Sequence, residues 1–79
     1  MSDKTVYTIQ RNDGQEVRIT LREYKGNQYV DIRMFFQPKE GGDMIPTKKG
    51  ITMPVAYLGE LRKALKEAQD MLPSEEIVP

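Results

Sequence analysis

The sequence predicts an α+β fold in which a four-stranded antiparallel sheet precedes one C-terminal helix. In the first half of the chain, short β-branched and aromatic runs alternate with turn residues at Asn12-Asp13-Gly14, Lys25-Gly26-Asn27 and Glu40-Gly41-Gly42-Asp43. After Pro54 the apolar period changes from two residues to about 3.5. Because the strands come first and the helix last, the helix is expected to pack across or beside the sheet.

Four strands are expected before the helix. The turn residues bound them, and the predicted strands are Val6 to Gln10, Gln15 to Tyr24, Gln28 to Phe36 and Met44 to Met53. Pro46 is expected to interrupt the fourth strand, because proline cannot donate a hydrogen bond to a neighbouring strand.

The second and third predicted strands separate apolar from polar side chains with a period of two. The apolar set is Val17, Ile19, Leu21, Val30, Ile32 and Met34. The opposite set is Arg18, Thr20, Arg22, Tyr24, Tyr29, Asp31, Arg33 and Phe35. One face of the sheet should therefore form the core, and the other should be basic and partly aromatic.

The last predicted element is an amphipathic helix from Pro54 to Leu72, ended by Pro73. Pro54 suits the first helical turn, where its missing N–H leaves no hydrogen bond unmade. Apolar residues form a seam at spacings of three and four, and they are Leu58, Leu61, Leu65, Ala68 and Leu72. The seam could cover the sheet of its own chain or pair with a second copy. Its regularity favours the second explanation, so these five residues are predicted to form a homodimer interface.

A length of 79 residues predicts one domain over 1–72, followed by a short acidic tail over 73–79 that is expected to be flexible. A domain of this size buries only about 60% of its unfolded surface. The sequence has no cysteine and no histidine, so neither disulfides nor structural zinc can compensate. Self-association is therefore expected on size alone.

The missing residue types also restrict the chemistry. Without histidine or cysteine the chain cannot build a Ser-His-Asp, Cys-His or zinc site, and its serines are Ser2 and Ser74 near the two ends. The glycines do not match the spacing of a phosphate-binding loop. No enzymatic activity, no metal and no cofactor are predicted.

The formal charge is zero but unevenly distributed. Residues 1–53 hold nine lysines and arginines against seven acidic residues, whereas residues 54–79 hold three against five. The first part is where an anionic partner would bind. No apolar run approaches the roughly 20 residues of a membrane span, and the N-terminus lacks the apolar stretch of a signal peptide. A cytoplasmic protein without membrane contacts is therefore expected.

Aromatic and cationic residues interleave in the basic part. They form the segments Tyr24-Lys25-Gly26-Asn27, Arg33-Met34-Phe35-Phe36 and Thr47-Lys48-Lys49-Gly50. Aromatic faces that stack bases and cations that follow phosphates together make a surface for single strands. The first segment could also be an ordinary hairpin turn and the third a charged edge strand. Their coincidence on adjacent strands favours nucleic-acid binding.

Three ordered blocks strengthen this hypothesis. They are VRITLREYKG from Val17 to Gly26, VDIRMFF from Val30 to Phe36, and PTKKGI from Pro46 to Ile51. These blocks resemble the family of the transcriptional coactivator positive cofactor four and its small bacterial relatives that bind single-stranded DNA. The resemblance implies a curved four-stranded sheet and a dimer paired through its helices, with both sheets facing the nucleic acid.

The resemblance also implies site residues. With the arginines of the open face, the predicted binding set is Arg18, Arg22, Tyr24, Lys25, Asn27, Arg33, Phe36, Lys48 and Lys49. Tyr24 and Phe36 correspond to the stacking aromatics, and Phe36 stands where better-known members carry tryptophan. Asn27 replaces a second turn lysine. Strict alternation puts Phe36 on the core side, so either a bulge turns it outward or Phe35 takes its place.

The predicted function is sequence-tolerant binding of single-stranded DNA in transcription regulation, replication or repair. Such a protein would be nucleoid-associated, and transcription or repair proteins are further candidate partners. RNA binding is an alternative that uses the same residues, because stacking and phosphate contacts exist in both nucleic acids. A protein-interaction adaptor, in which the helix seam binds another chain, is the alternative from a different class.

Overall fold

A computed structural model describes residues 3–73 and confirms the predicted fold class. The elements are β1 (Asp3–Gln10), β2 (Glu16–Tyr24), β3 (Asn27–Phe36), β4 (Ile45–Pro54), a 3₁₀ turn (Val55–Tyr57) and α1 (Leu58–Asp70). The four strands form one antiparallel sheet in the order β1-β2-β3-β4. Of the predicted strand bounds, only the start of β1 moves by more than one residue. Within the described part of the chain, no helix is long and apolar enough to cross a membrane.

The register between β2 and β3 places side chains of one kind on each side of the sheet. Arg18 lies opposite Arg33, and Arg22 lies opposite Tyr29, whereas Leu21 lies opposite Val30. Because side chains alternate along a strand, the predicted separation of the two sets is confirmed. We call the side with Arg18, Arg22, Tyr24, Tyr29, Asp31, Arg33, Phe35 and Thr52 the charged face. The apolar face carries Val17, Ile19, Leu21, Val30, Ile32, Met34, Ile51 and Met53.

A two-residue turn joins β2 to β3. Tyr24 pairs with Asn27, and the two residues between them have positive φ angles of 52° at Lys25 and 80° at Gly26. Two consecutive positive φ angles are the geometry of a type I′ turn, which matches the twist of the flanking strands. The turn therefore holds Lys25 at the tip of the hairpin, directly beside Tyr24.

Both edge strands carry an irregularity. In β1 the register shifts at Val6. In β4, Gly50 pairs with Arg33 and Pro46 pairs with Phe35, so three residues of β4 lie opposite the single residue Met34. These three residues, Thr47, Lys48 and Lys49, are called the β4 bulge below. β4 is one strand from Ile45 to Pro54, and its pairing with β3 is interrupted immediately after Pro46, which is itself paired with Phe35. The predicted irregularity is therefore present as a bulge and not as a break at the proline.

The corner between sheet and helix corrects the predicted helix start. Pro54 is the last residue of β4, with φ −59° and ψ 145°, and it pairs with Tyr29 across the sheet. A proline is tolerated there because β4 is an edge strand with one side unpaired. The 3₁₀ turn then redirects the chain, and the α-helix begins only at Leu58. The first-turn position predicted for Pro54 was therefore wrong.

The helix leaves its apolar side uncovered. No side chain in the described helix is buried, and Leu58 and Leu65 are 40% and 60% exposed. The helix ends at Asp70, so Leu72 lies beyond it, and the predicted end at Leu72 was wrong. The seam does not cover the sheet of its own chain, which removes the intrachain explanation. We use the term helix seam for Leu58, Leu61, Leu65 and Ala68.

The core of one chain is correspondingly small. Among residues 3–73, Val30 is the single hydrophobic residue that is buried, at 2% exposure. Its neighbours Ile19, Leu21 and Ile32 on the apolar face are only half-buried. One sheet layer without a second layer against it cannot bury more.

Candidate nucleic-acid interface

Two adjoining cavities run along the charged face. The first, of about 230 Å³, is lined by Arg22, Glu23, Tyr24, Tyr29 and Thr52. The second, of about 260 Å³, is lined by Asp3, Thr5, Thr20, Arg22, Asp31, Phe35 and Pro46. Both include Arg22, and we call the two together the charged-face groove.

Tyr24 and Lys25 stand at the hairpin end of the groove. The Tyr24 side chain is 51% exposed, and the Lys25 ammonium lies 5.3 Å from the centre of its ring. A cation at that distance is attracted by the ring electrons and would stay close to a phosphate beside a base stacked on Tyr24. Asn27, the cross-strand partner of Tyr24, is also exposed.

Arg22 lies at the middle of the groove and is only loosely held. Its guanidinium is 3.4 Å from the Asp3 carboxylate, and both side chains are about half exposed at 46% and 49%. Exposed ion pairs of this kind contribute between about 0 and 1 kcal/mol. Arg22 can therefore exchange Asp3 for a phosphate at little cost.

Arg18 is held more firmly than Arg22. It pairs with the buried carboxylate of Glu16, and its guanidinium carbon lies 4.4 Å above the centre of the Phe35 ring. One face of Phe35 is thus already occupied by a cation. Phe35 lines the groove, and Arg18 lies on its ring.

Arg33 has the most extensive contacts of the predicted cations. Its Nε and Nη2 donate to the two oxygens of Asp31 at 3.2 and 3.0 Å, a bidentate ion pair, and Nη1 donates to the carbonyl of Thr47 at 2.9 Å. Only 21% of the Arg33 side chain is exposed, and Asp31 is buried. This guanidinium is therefore committed to the protein itself.

Arg33 also helps to set the shape of the β4 bulge. The Thr47 hydroxyl donates to the carbonyl of Met34 at 2.9 Å and accepts from the backbone N–H of Lys49 at 3.1 Å. Glycine at position 50 leaves space for the arginine, because a Cβ there would lie 2.9 Å from Cζ of Arg33 and 2.7 Å from the carbonyl of Ile32. Arg33 and Thr47 thus fix the backbone on which the two lysines stand.

Lys48 and Lys49 are the free cations of this region. Both are exposed, and neither forms an ion pair with another residue in the range 3–73. Lys25 is likewise without an ion-pair partner in that range. Of the six predicted cations, these three and the loosely paired Arg22 are available to an anion.

The two predicted stacking aromatics do not share a surface. β3 pairs with β2 without irregularity as far as Phe35, so alternation places Phe35 on the charged face and Phe36 beside Met34 on the opposite side. The bulge that could have turned Phe36 lies on β4 instead. Phe36 is still 38% exposed, and its stacking role remains a prediction.

Of the residues that line the groove, the predicted site contains only Arg22 and Tyr24, and Tyr29 and Thr52 are among those it lacks. Tyr29 lies opposite Arg22, and Thr52 lies opposite Asp31, to which its hydroxyl donates. The period of two in β3 already put Tyr29 on the charged face, and that signal was sufficient to include it. Thr52 carries no comparable signal, because its place depends on the register across the bulge.

Asp31 should make the stability of the fold depend on pH in the acidic range. Burial alone would raise its pKa, but hydrogen bonds from Arg33 and Thr52 and the charges of Arg33 and Arg22 outweigh burial and hold the pKa below 3.8. The ionised form therefore stabilises the fold at higher pH, and this contribution is lost as the pH falls through the lowered pKa.

We therefore expect the free energy of unfolding to decrease as the pH falls below about 4, and to decrease less in Asp31→Asn. Denaturant titrations of both proteins across this pH range measure the difference. An equal acid dependence in the two proteins would show that Asp31 is not the responsible group.

The protein has an open antiparallel sheet, a helix that does not cover it, and a groove of arginines and aromatics on one face. These features define a class, small α+β proteins with an exposed sheet surface. Within that class, the chain belongs to the family described as Transcriptional Coactivator p15 (PC4), which matches residues 11–64. The resemblance inferred from the sequence blocks is thereby confirmed.

Two curated relatives are transcriptional coactivators. The chain is 31% identical over 48 residues to a putative RNA polymerase II transcriptional coactivator of Caenorhabditis elegans, covering 61% of this chain and 39% of that protein. It is 34% identical over 50 residues to the RNA polymerase II transcriptional coactivator SUB1 of Saccharomyces cerevisiae, covering 63% and 17%. The chain thus spans less than half the length of either protein.

Solved structures share the fold over nearly the whole chain. A PC4 homolog from Burkholderia pseudomallei superposes with a TM-score of 0.79 at 32% identity, covering 90% of this chain and 95% of that one. A bacteriophage T5 homolog of PC4, implicated in recombination-dependent DNA replication, has a TM-score of 0.70 at 25% identity, covering 89% and 80%.

Proposed function

We propose that this protein is a homodimeric, sequence-tolerant binder of single-stranded DNA that acts without catalysis in transcription regulation, replication or repair. The observation that carries the proposal is the charged-face groove, which has the exposed Tyr24 ring at one end with Lys25 beside it, a lysine without an ion-pair partner among residues 3–73. The names of the coactivator and phage relatives support the setting.

A single strand suits this groove better than a duplex. Stacking on Tyr24 requires a base whose face is free, and bases in a duplex are already stacked on their neighbours. Base stacking is tolerant of sequence because every base has a flat aromatic face. Lys25, Lys48, Lys49 and Arg22 would follow the phosphates, whereas Arg18 and Arg33 would act mainly through their protein partners.

The homodimer is supported by the surface that one chain leaves open. The helix seam and the apolar face are both partly exposed in the described residues, and neither covers the other. A chain with one buried hydrophobic residue among residues 3–73 needs further apolar burial for stability. A second copy provides it symmetrically, and its helix carries the same seam.

Fluorescence anisotropy with a labelled oligothymidine and a matched duplex tests the proposal. We expect tighter binding to the single strand and a marked loss of affinity between low and near-physiological salt. An oligouridine of equal length tests whether the protein prefers DNA or RNA. The measurement is needed because stacking and phosphate contacts would use the same side chains with either nucleic acid. Binding to neither nucleic acid would contradict the proposal and favour the adaptor alternative.

Replacing Tyr24 with alanine should weaken binding to oligothymidine. One stacked base contributes about 1 to 3 kcal/mol, which corresponds to about a 5- to 150-fold rise in Kd. Tyr7→Ala is the matched control, since Tyr7 is 65% exposed but lies on the opposite side of the sheet from Tyr24. Equal affinities of the two variants would remove Tyr24 from the interface.

Removing both lysines of the β4 bulge should reduce the salt dependence of binding and leave the fold intact. Each lost phosphate contact lowers the slope of log K against log salt by about 0.7 for a single strand. The variant Lys48→Ala/Lys49→Ala is therefore expected to lose about 1.4 from this slope. A helix variant with the same charge change, Lys63→Ala/Lys66→Ala, should keep it. If the bulge variant retained the full slope, Lys48 and Lys49 would not be phosphate contacts.

A further inference from the structure

A second cavity opens behind Tyr29, next to the charged-face groove. It has a volume of about 550 Å³ and is lined by Gly26, Asn27, Gln28, Tyr29, Pro54, Val55 and Ala56. Tyr29 also lines the groove cavity that contains Tyr24. Tyr29 is therefore a lining residue of both depressions, and we call the one described here the Tyr29 cavity.

The Tyr29 cavity has the chemistry of a site for a flat, uncharged ring. All of its lining residues are uncharged, so it offers nothing to neutralise a phosphate. It combines the half-buried Tyr29, the proline opposite it in β4 and the exposed amide of Asn27. An aromatic face with a few polar groups at its edge is the usual composition of a pocket for a small planar ligand.

The surrounding charges favour a nucleobase over other planar rings. Lys25 lies in the turn at one side of the cavity, and Arg22 lies opposite Tyr29 on β2. Both cations are available, because Lys25 has no ion-pair partner within residues 3–73 and the pair of Arg22 with Asp3 is half exposed. A nucleotide would therefore be bound at its base by the cavity and at its phosphate by these cations.

The distance between the two tyrosines fits two bases of one strand that are not adjacent. Tyr24 pairs with Asn27, and Tyr29 lies two residues further along β3. Two residues along a strand and one strand across correspond to a separation of about 8 Å between the two Cα atoms. Stacked nucleotides rise about 3.4 Å each, so the two tyrosines lie two to three nucleotides apart.

We propose that the Tyr29 cavity is a second nucleobase subsite, in which a base stacks on Tyr29 while a base two to three nucleotides away stacks on Tyr24. The inference rests on the proposed function, because the same strand occupies the groove. It adds a site to that function, and it assigns to Tyr29 a direct contact that the three sequence blocks did not indicate.

Photo-crosslinking of the unmodified protein tests the contact directly. An oligothymidine series carrying one 5-iodouracil at successive positions is irradiated on the full chain, and the adducts are located by mass spectrometry. We expect adducts on Tyr24 and on Tyr29 from positions two to three nucleotides apart. Labelling of Tyr24 without labelling of Tyr29 from any position would overturn the inference and leave the proposed function intact.

Affinity measurements give a second readout. Tyr29→Leu keeps an apolar side chain in the strand but removes the flat face, and we expect a 5- to 150-fold rise in Kd for oligothymidine. Tyr7→Leu on the opposite side of the sheet is the control, and circular dichroism melting verifies that both variants fold. If Tyr29→Leu binds like the wild type while Tyr24→Ala is weakened, the subsite is wrong. If the wild type binds no oligonucleotide, the proposed function fails and the subsite fails with it.

Discussion

Replacing Leu65 with aspartate is expected to convert the proposed homodimer to a monomer. Leu65 is 60% exposed in the single chain and lies in the middle of the helix seam. Burying a leucine contributes about 1.5 to 3 kcal/mol, and a symmetric dimer contains the residue twice. Loss of both contributions, about 3 to 6 kcal/mol, corresponds to roughly a 100- to 20,000-fold rise in the dimer dissociation constant, because about 1.4 kcal/mol is a factor of ten. Light scattering across a dilution series measures it.

The matched control lies on the same helix. Lys63 is two residues from Leu65, which is about 200° around the helix, so Lys63→Glu changes the charge without touching the helix seam. We expect this variant to remain a dimer. A Leu65→Asp protein that is still dimeric at low micromolar concentration would show that the chain associates through another surface, for example the apolar face of the sheet.

Dimerisation and binding can be separated with the same variant. If the groove of one protomer holds a strand independently, monomeric Leu65→Asp should bind a short oligothymidine with unchanged affinity and lose only the gain from longer strands that reach both protomers. If affinity for the short strand also disappears while the fold survives, the binding site includes the partner chain.

Replacing Arg33 with methionine is expected to destabilise the fold by about 3 to 5 kcal/mol, because it leaves the Asp31 carboxylate buried and without its partner. Asp31 is 4% exposed, and its two oxygens accept from Arg33 at 3.2 and 3.0 Å. The loss should be partly recovered in Arg33→Met/Asp31→Asn, which has no buried charge at this position. Denaturant unfolding of the two single variants and the double variant measures the coupling between the residues.

A second arginine on the same face provides the control for Arg33. Arg22 pairs with Asp3 in an exposed position, so Arg22→Met should lower stability by no more than about 1 kcal/mol. In binding the order should reverse, because Arg22 is available to a phosphate and Arg33 is not. An Arg33→Met protein with unchanged stability and strongly reduced affinity would instead restore Arg33 as a direct phosphate contact.

The predicted cations of the interface therefore fall into two groups, those available to phosphates and those that pair with carboxylates of the protein. Lys25, Lys48 and Lys49 are free within the described residues, whereas Arg18 and Arg33 neutralise buried carboxylates. Arg33 also donates to the carbonyl of Thr47 and so supports the β4 bulge that carries two of these lysines. A change at Arg33 can therefore reduce binding through Lys48 and Lys49 without any contact to the nucleic acid.

Much of the fold was predictable because it depends on short stretches of chain. Alternation along a strand is a property of that strand alone, so Arg22 and Tyr24 could be placed on one face and Leu21 on the other without knowing their neighbours. The turn at Lys25-Gly26 is equally local, since glycine readily accepts the positive φ that the turn requires. These local features also identified the Tyr24 end of the groove.

The sheet-to-helix corner shows where a local rule failed. Proline at a first helical turn is a sound local preference, and it predicted a helix from Pro54. Pairing of Pro54 with Tyr29 keeps the residue in β4 instead, and the 3₁₀ turn follows it. Contact with a residue 25 positions earlier in the chain decided the conformation, because a local preference is weak compared with strand pairing.

The sequence by itself determined the order of elements, the two faces of the sheet and the residues able to stack bases or meet phosphates. Only the tertiary structure decided which cations remain free. Strand register brings Thr47 and Thr52, which are 14 and 19 residues from Arg33 in the chain, into contact with its guanidinium. The tertiary structure also decided that the helix seam is exposed. Ion pairing and exposure depend on distances between segments far apart in sequence, whereas strand alternation depends only on the backbone of one segment.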